Sequence, residues 1–228
     1  MKLQIVVVSS ILFLVSLVNA QENRVLKNQK EKMSYIIGMD IGTNLKKQSI
    51  DIEPNIVARG IKDAIAGGKP LLSEQEVQET MAIFQKDMMA KQQEVAKKNK
   101  KEGEVFLDEN KKKEGVKTLA SGLQYKVLKE GTGKKPKLND AVTVNYRGTL
   151  IDGTEFDSSY RRGQPASFPV SGVIPGWTEA LPLMGEGAKW QLFVPSNLAY
   201  GERGAGAMIG PNATLIFEIE LISVQEKK

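Results

Sequence analysis

Val142-Thr143-Val144-Asn145-Tyr146-Arg147-Gly148-Thr149-Leu150, then Asp152-Gly153, then Phe156-Asp157-Ser158-Ser159, is the stretch from which the rest of the chain can be read. Its first five residues alternate apolar and polar with a period of two, the pattern of a strand with one buried face. Asp152-Gly153 is a turn dipeptide. A lone strand buries nothing, so it needs neighbours, and two further period-two runs supply them. One is Leu123-Gln124-Tyr125-Lys126-Val127. The other covers residues 213–224, with Leu215, Phe217, Ile219 and Leu221 on one face and Ile216, Glu218, Glu220 and Ile222 on the other. Gly131-Thr132-Gly133 and Gly185-Glu186-Gly187 mark more turns. One short helix fits between Pro175 and Leu183, because the missing N–H of proline is harmless in a first helical turn. The C-terminal half is therefore expected to be α+β, an antiparallel sheet wrapped on one short helix.

N-terminal to this region the period changes from two to about 3.6. Met33, Ile36, Ile37, Ile41 and Leu45 fall at helical spacing, and Gly38 and Gly42 place small residues where helices could approach. Glu53-Pro54 and Gly67-Gly68-Lys69-Pro70 are breaks, with Ile56, Val57, Ile61, Ala64 and Ile65 forming a short amphipathic stretch between them. Ser73-Glu74-Gln75-Glu76 reads as a capping box that opens a long helix. Its apolar stripe, Val77, Met81, Phe84, Met88 and Val95, is heptad-like. If that helix runs over residues 74–114 it is roughly 60 Å long at 1.5 Å per residue. Gly103 is its weak point, costing about 1 kcal/mol relative to Ala, and the sequence leaves open whether the helix continues through it. An all-α module this small has little core of its own. It reads either as a stalk or as a dimerisation module in which a second copy supplies the missing burial.

Residues 1–20 read as a targeting segment: Met1-Lys2, an apolar run over residues 3–18, then Val18-Asn19-Ala20 before a cut. The run is short for a membrane span, which needs about 20 residues. Cleavage is expected after Ala20, with no integral span in the remaining chain. No Cys stands after the cut, so a lipoprotein anchor is not expected. The expected organisation is a signal peptide at 1–20, a helical dimerisation module at 21–72, a long connecting helix at 73–114 and a β-rich domain at 115–228.

With 41% hydrophobic and 26% charged residues the 228-residue chain can build a packed core. It contains neither Cys nor His. That removes Ser-His-Asp and Cys-His catalysis, disulfides, and zinc-finger or His-ligated metal sites. Asp157 with Glu155 or Asp152 could form a carboxylate pair, but such residues also gather freely in polar turns. Gly204-Ala205-Gly206 lacks the Lys-Ser/Thr of a phosphate loop. The net charge is +5; residues 118–228 hold 12 Lys and Arg against 11 Asp and Glu, and residues 1–117 hold 20 against 16. The basic excess lies on mixed-sign helix, unlike the clustered base of a nucleic-acid binder, so no nucleic-acid partner is expected.

Four motifs in order carry a resemblance. Asn145-Tyr146-Arg147-Gly148-Thr149-Leu150 with Asp152-Gly153 and Phe156-Asp157-Ser158-Ser159 is the first. Gly172-Val173-Ile174-Pro175-Gly176-Trp177 with Glu179-Ala180-Leu181 is the second, and Pro195-Ser196-Asn197-Leu198-Ala199-Tyr200-Gly201 the third. Ile209-Gly210-Pro211-Asn212-Ala213-Thr214-Leu215-Ile216-Phe217 is the fourth. Residues 118–224 resemble the FKBP family of peptidyl-prolyl cis–trans isomerases. With its leader and long helix the whole chain is similar to the Mip (macrophage infectivity potentiator) and FkpA branch of bacterial FKBPs, which is dimeric and works outside the cytoplasm.

The resemblance implies an isomerase of X-Pro bonds in secreted or periplasmic polypeptides, with folding-chaperone activity and no cofactor. It implies binding of macrolides of the tacrolimus and rapamycin type. It assigns Trp177 to the floor of the pocket and Tyr146, Phe156, Val173, Ile174 and Phe217 to its walls. The Ile174 N–H and the Tyr200 hydroxyl would bind substrate carbonyls, Asp157 would stand at the rim, and Ile209 would come from a loop over the site. Ala166 lies where many members carry an aromatic wall, which should leave that side more open. Read singly, Trp177 and Phe217 are ordinary core, Tyr146 is cross-strand packing and Asp157 is a turn residue. The alternative function is a non-catalytic chaperone or binding module for proline-bearing apolar segments; a purely structural surface factor has only the targeting segment in its favour.

Overall fold

The computed structural model describes residues 25–48 and 50–226. The expected signal peptide at residues 1–20 lies outside them. The chain divides into two compact units, residues 1–50 and 51–228. Among the described residues the first contains one helix, α1 (Gln29–Lys47), opened by Asn28, whose side chain accepts the Glu31 N–H at 2.9 Å. Lys46 and Lys47 in its last turn suit the helix dipole. Met33, Ile36 and Ile37 on α1 are all more than half exposed.

In the second unit, α2 (Pro54–Ala66) opens on its proline and stops at Gly67, which takes the left-handed conformation (φ 64°) that closes a helix. α3 (Glu74–Asn110) begins at the capping box: the Ser73 hydroxyl accepts the Glu76 N–H, and the Glu76 carboxylate accepts the Ser73 N–H. It runs unbroken through Gly103 for 37 residues, about 55 Å.

The rest of the unit is a seven-stranded antiparallel sheet of β1 (Val116–Thr118), β2 (Gln124–Lys129), β3 (Ala141–Leu150), β4 (Glu155–Ser158), β5 (Ala166–Pro169), β6 (Lys189–Val194) and β7 (Leu215–Gln225). The order is β1-β2-β6-β7-β3-β4, with β5 also on β3. β3 pairs with β7 along its whole length. Its other edge is shared: β5 pairs with residues 141–144 and β4 with residues 147–149. Between those two strands the chain leaves the sheet over residues 159–165. Ser159 anchors the departure, exchanging bonds with β3: its N–H donates to Tyr146 O, and its hydroxyl accepts the Tyr146 N–H, both at 2.9 Å.

The alternation read in the sequence places Val142, Val144 and Tyr146 of β3 and Leu215, Phe217, Ile219 and Leu221 of β7 in one core. The short helix α4 (Pro175–Ala180) packs against β6 by way of Gly176, where a Cβ would lie 2.6 Å from Val194 Cγ1. That close approach buries Trp177 and Ala180.

Gly103 is not the weak point the sequence suggested. It is buried, and a Cβ there would stand 2.3 Å from Thr214 Oγ1. Around it the C-terminal part of α3 is docked on the sheet. The Phe106 ring lies 6.0 Å from that of Phe193. Gln124 is buried with both ends of its amide engaged, Nε2 donating to Leu107 O and Oε1 accepting from Asn110 Nδ2, each at 2.9 Å. The helix is glycine here because contact with the sheet leaves no room for a side chain.

Candidate active site

The strand-to-helix layout gathers aromatic rings over α4. Trp177, 4% exposed, is the hub. Tyr146 from β3 and Phe217 from β7 stand edge-on to it at 5.3 and 5.2 Å, and Phe168 from β5 stands edge-on at 6.0 Å. Phe156 from β4 meets Phe217 at 5.6 Å, again near-perpendicular. This is the preferred geometry of ring quadrupoles. The rings bound a cavity of about 370 Å³, completed by Asp157, Gly172, Val173, Ile174 and Tyr200, within the usual range for a small-ligand pocket.

Gly148 makes the wall possible. It sits on β3 opposite Asp157 and Phe217, and a Cβ there would lie 2.6 Å from the Phe156 ring and 2.9 Å from the Phe217 ring. Val173 and Ile174 reach the cavity because the chain is extended at both before α4 begins. Ile174 O is taken up by the helix, accepting from the N–H groups of Trp177 and Thr178.

The polar groups form two sets. In the first, Tyr146 Oη donates to Asp157 Oδ2 at 2.5 Å, while Asp157 Oδ1 accepts the Ser158 N–H at 2.8 Å and a guanidinium N–H of Arg162. Arg162 also donates to Tyr146 Oη at 2.7 Å and lies over the Tyr146 ring. Burial alone would push the Asp157 carboxyl up, but the bonds from Tyr146, Arg162 and the Ser158 N–H, with the Arg162 charge, outweigh it and hold the carboxyl below its ordinary value. Burial, then the bond to Asp157, moves the Tyr146 phenol up. The second set is Tyr200 alone. It is 40% exposed, and its hydroxyl has no hydrogen-bond partner among the described residues. Burial of the ring and the nearby Asp157 charge raise its pKa. At neutral pH the site thus holds one fixed carboxylate and two neutral phenols, of which one is free to donate.

The structure brings together every residue singled out in the sequence except Ile209. Ile209 is buried in the core, its N–H and C=O both bonded to Ala205, and it does not line the cavity. Phe168, two residues on from Ala166 and on the same face of β5, adds a ring that the motifs did not assign to the cavity. Period two could have found it. Arg162 had no local signature in an Arg-Arg turn. The idea of a carboxylate pair gives way as well. Glu155 is ion-paired with Arg147 at 2.8 Å, and Asp152 accepts the Thr154 N–H in its turn.

Comparison with known proteins bears on the family and the fold. Residues 30–127 match the family model described as the domain amino-terminal to FKBP-type peptidyl-prolyl isomerase, and residues 132–222 match that of the FKBP-type peptidyl-prolyl cis-trans isomerase itself. The chain is 52% identical to the outer membrane protein MIP of Legionella longbeachae, over 88% of each chain. It is 50% identical to the peptidyl-prolyl cis-trans isomerase Mip of Coxiella burnetii, over 89% of this chain and 90% of that one. Among solved structures it is similar to FkpA from Escherichia coli, at 40% identity and TM-score 0.63, covering 88% of this chain and 99% of the other. Matches of this identity across nearly the whole length, together with both family models, show that the chain belongs to the FKBP-type peptidyl-prolyl cis-trans isomerase family.

Proposed function

We propose that the ring-lined cavity on Trp177 is where this isomerase turns X-Pro bonds, with Tyr200 and the Ile174 N–H meeting substrate carbonyls. The observation that carries this reading is the pairing of a box of apolar rings with one unengaged phenol at its rim. Rotation about a peptide bond meets a barrier of about 18–20 kcal/mol that comes from amide resonance. No bond is made or broken, so the reaction needs no nucleophile, and a chain without Cys or His is suited to it. The twisted amide has lost resonance and carries less charge separation than the planar form. Exchanging water for the faces of Trp177, Phe168 and Phe217 therefore favours the twisted state relative to the planar one. A hydrogen bond to a flanking carbonyl fixes one end while the other rotates. Asp157 has both oxygens engaged and is held ionised. Its part is to orient Tyr146 and to set the field at the rim, with no proton transferred.

The protein is proposed to work as a homodimer outside the cytoplasm, acting on proline-bearing unfolded chains and assisting their folding. Among the described residues no helix is long and apolar enough to cross a membrane. The relative named outer membrane protein MIP supports an extracytoplasmic placement, as does the leader-like segment at residues 1–20. Dimerisation is supported by apolar side chains left in solvent on α1 and α2, Ile36, Ile56 and Ile65 among them, and by the open space over Gly38 and Gly42. Macrolides of the tacrolimus and rapamycin type, ligands of the family, are expected in the same cavity.

The test is catalysis of X-Pro isomerisation in a short peptide by the mature protein and by an Asp157→Ala/Tyr200→Phe variant. A tenfold change in rate corresponds to about 1.4 kcal/mol, and a hydrogen bond contributes about 0.5–1.5 kcal/mol. The double variant is expected to lose at least tenfold in kcat/KM. Folded wild-type protein without catalysis would leave a binding module for proline-bearing segments.

A further inference from the structure

Among the poor helix formers of α3 are Asn99, Gly103 and Asn110, in a run rich in Lys and Glu. They are spaced by four and seven, so they lie on one face. Each meets the sheet unit. Asn110 bonds Gln124, Gly103 admits Thr214, and Asn99 Nδ2 donates to Pro211 O at 2.8 Å. Local preference is set aside where contact with another element requires it.

Asn99 differs from the other two in what it holds. Pro211 lies on the returning limb of the loop that leaves β6, passes Tyr200 and comes back to β7. Gly210 beside it is pressed against α3, where a Cβ would lie 3.0 Å from Asn99 Nδ2 and 3.4 Å from Val95 Cγ1. Val95, the last residue of the heptad-like stripe, stands beside this loop. The returning limb is tied to the outgoing one by the Asn212 N–H, which donates to Gly201 O at 2.8 Å. Gly201 is the next residue after Tyr200. The path from α3 to the free phenol is therefore Asn99, Pro211, Asn212, Gly201, Tyr200, through two hydrogen bonds and the chain between them.

We infer that Asn99 is a positioning residue for the isomerase site: by tying loop 201–214 to α3 it sets where the Tyr200 hydroxyl stands. The inference rests on the role proposed for Tyr200 in binding a substrate carbonyl. By linkage, a ligand held by Tyr200 favours the docked form of the loop, and the docked loop favours the ligand by the same factor.

The test uses the full mature chain with Asn99→Ala, Asn99→Asp, Tyr200→Phe and the Asn99→Ala/Tyr200→Phe double variant. Alanine is the better helix former, so lost activity in Asn99→Ala is not lost helix. Aspartate keeps the size of Asn99 but, ionised, cannot donate to Pro211 O; a packing role would leave it like wild type. Both Asn99 variants are expected to exchange the Asn212 amide proton about three- to tenfold faster, the effect of one lost hydrogen bond on a local opening. Both are expected to lower kcat/KM towards an X-Pro peptide about two- to fivefold by the same reasoning. In the Tyr200→Phe background, Asn99→Ala should lower it no further. Unchanged Asn212 exchange, wild-type behaviour of Asn99→Asp, or losses that multiply in the double variant would overturn the inference while leaving Tyr200 in the site. Full activity of Tyr200→Phe alone would remove Tyr200 from the site, and the inference with it.

Discussion

Replacing Gly103 by Ala sets two effects of opposite sign against each other. In an isolated helix the change stabilises by about 1 kcal/mol. In this structure the new Cβ would lie 2.3 Å from Thr214 Oγ1 and 3.2 Å from Thr214 Cβ. Thr214 is 5% exposed and branched at Cβ, so it cannot simply swing away. Forcing a methyl into a packed contact costs about 1–3 kcal/mol. The contact term is expected to win, for a net loss of about 1 kcal/mol. In a cooperative unit of this size that lowers Tm by about 2–4 °C. Thr214→Ala in the same chain vacates the space the methyl needs, so Gly103→Ala/Thr214→Ala should recover most of the loss. The coupling between the two positions should reach at least about 1 kcal/mol. Urea unfolding monitored by tryptophan fluorescence measures all four corners of this cycle. A Gly103→Ala protein more stable than wild type by about 1 kcal/mol would mean that α3 does not rest on Thr214 and that Gly103 is an ordinary helix glycine.

The cavity leads to two more expected outcomes. Gly148→Ala would drive a methyl against the Phe156 and Phe217 rings at 2.6 and 2.9 Å; the rings turn into the cavity, and kcat/KM is expected to fall tenfold or more with an unchanged far-UV spectrum, retention of full activity counting against the ring box. The pH profile should be flat. The Asp157 carboxyl is lowered, so its contribution to stability is present above its unfolded value near 3.9 and lost as pH falls through the folded value. Tyr146 and Tyr200 are raised, so both stay neutral, and their contribution holds below about pH 10 and is lost as pH rises through the folded values. With no His in the chain, kcat/KM should vary less than about twofold between about pH 5 and 9, and a bell-shaped profile inside that window would point to a proton-transfer step that the geometry does not provide.

Three of the seven strands, β2, β3 and β7, were legible because one face of each packs on the core. Val142, Val144 and Tyr146, or Leu215, Phe217, Ile219 and Leu221, alternate in sequence for the same reason that they share a core. The start of α3 was legible because a capping box is local. What could not be read are arrangements made by non-local contact. A motif assigns one position to the aromatic wall, and at that position this chain has Ala166. The strand puts Phe168 on the same face two residues later, and its ring lines the cavity edge-on to Trp177. Ile209 comes soon after Tyr200 in sequence, but the loop folds on itself at Ala205 and turns the isoleucine into the core. The docking of α3 left only an indirect mark, three poor helix formers at helical spacing.

The site residues divide by what their polar atoms are committed to. Tyr146, Asp157 and Arg162 are bonded to one another, and Ser158 and Ser159 tie that group to β3 and β4. None of them has to change partner for an amide to rotate in the cavity. Tyr200 is uncommitted and stands on a loop whose position is set from outside the sheet. A reaction whose only obstacle is resonance needs a rigid apolar box and a single adjustable donor. A chain that builds the box from strands can therefore vary the donor's placement, through α3, without disturbing the walls. With Asn99 in that role, substrate preference is set in part by residues of α3 that never touch the substrate.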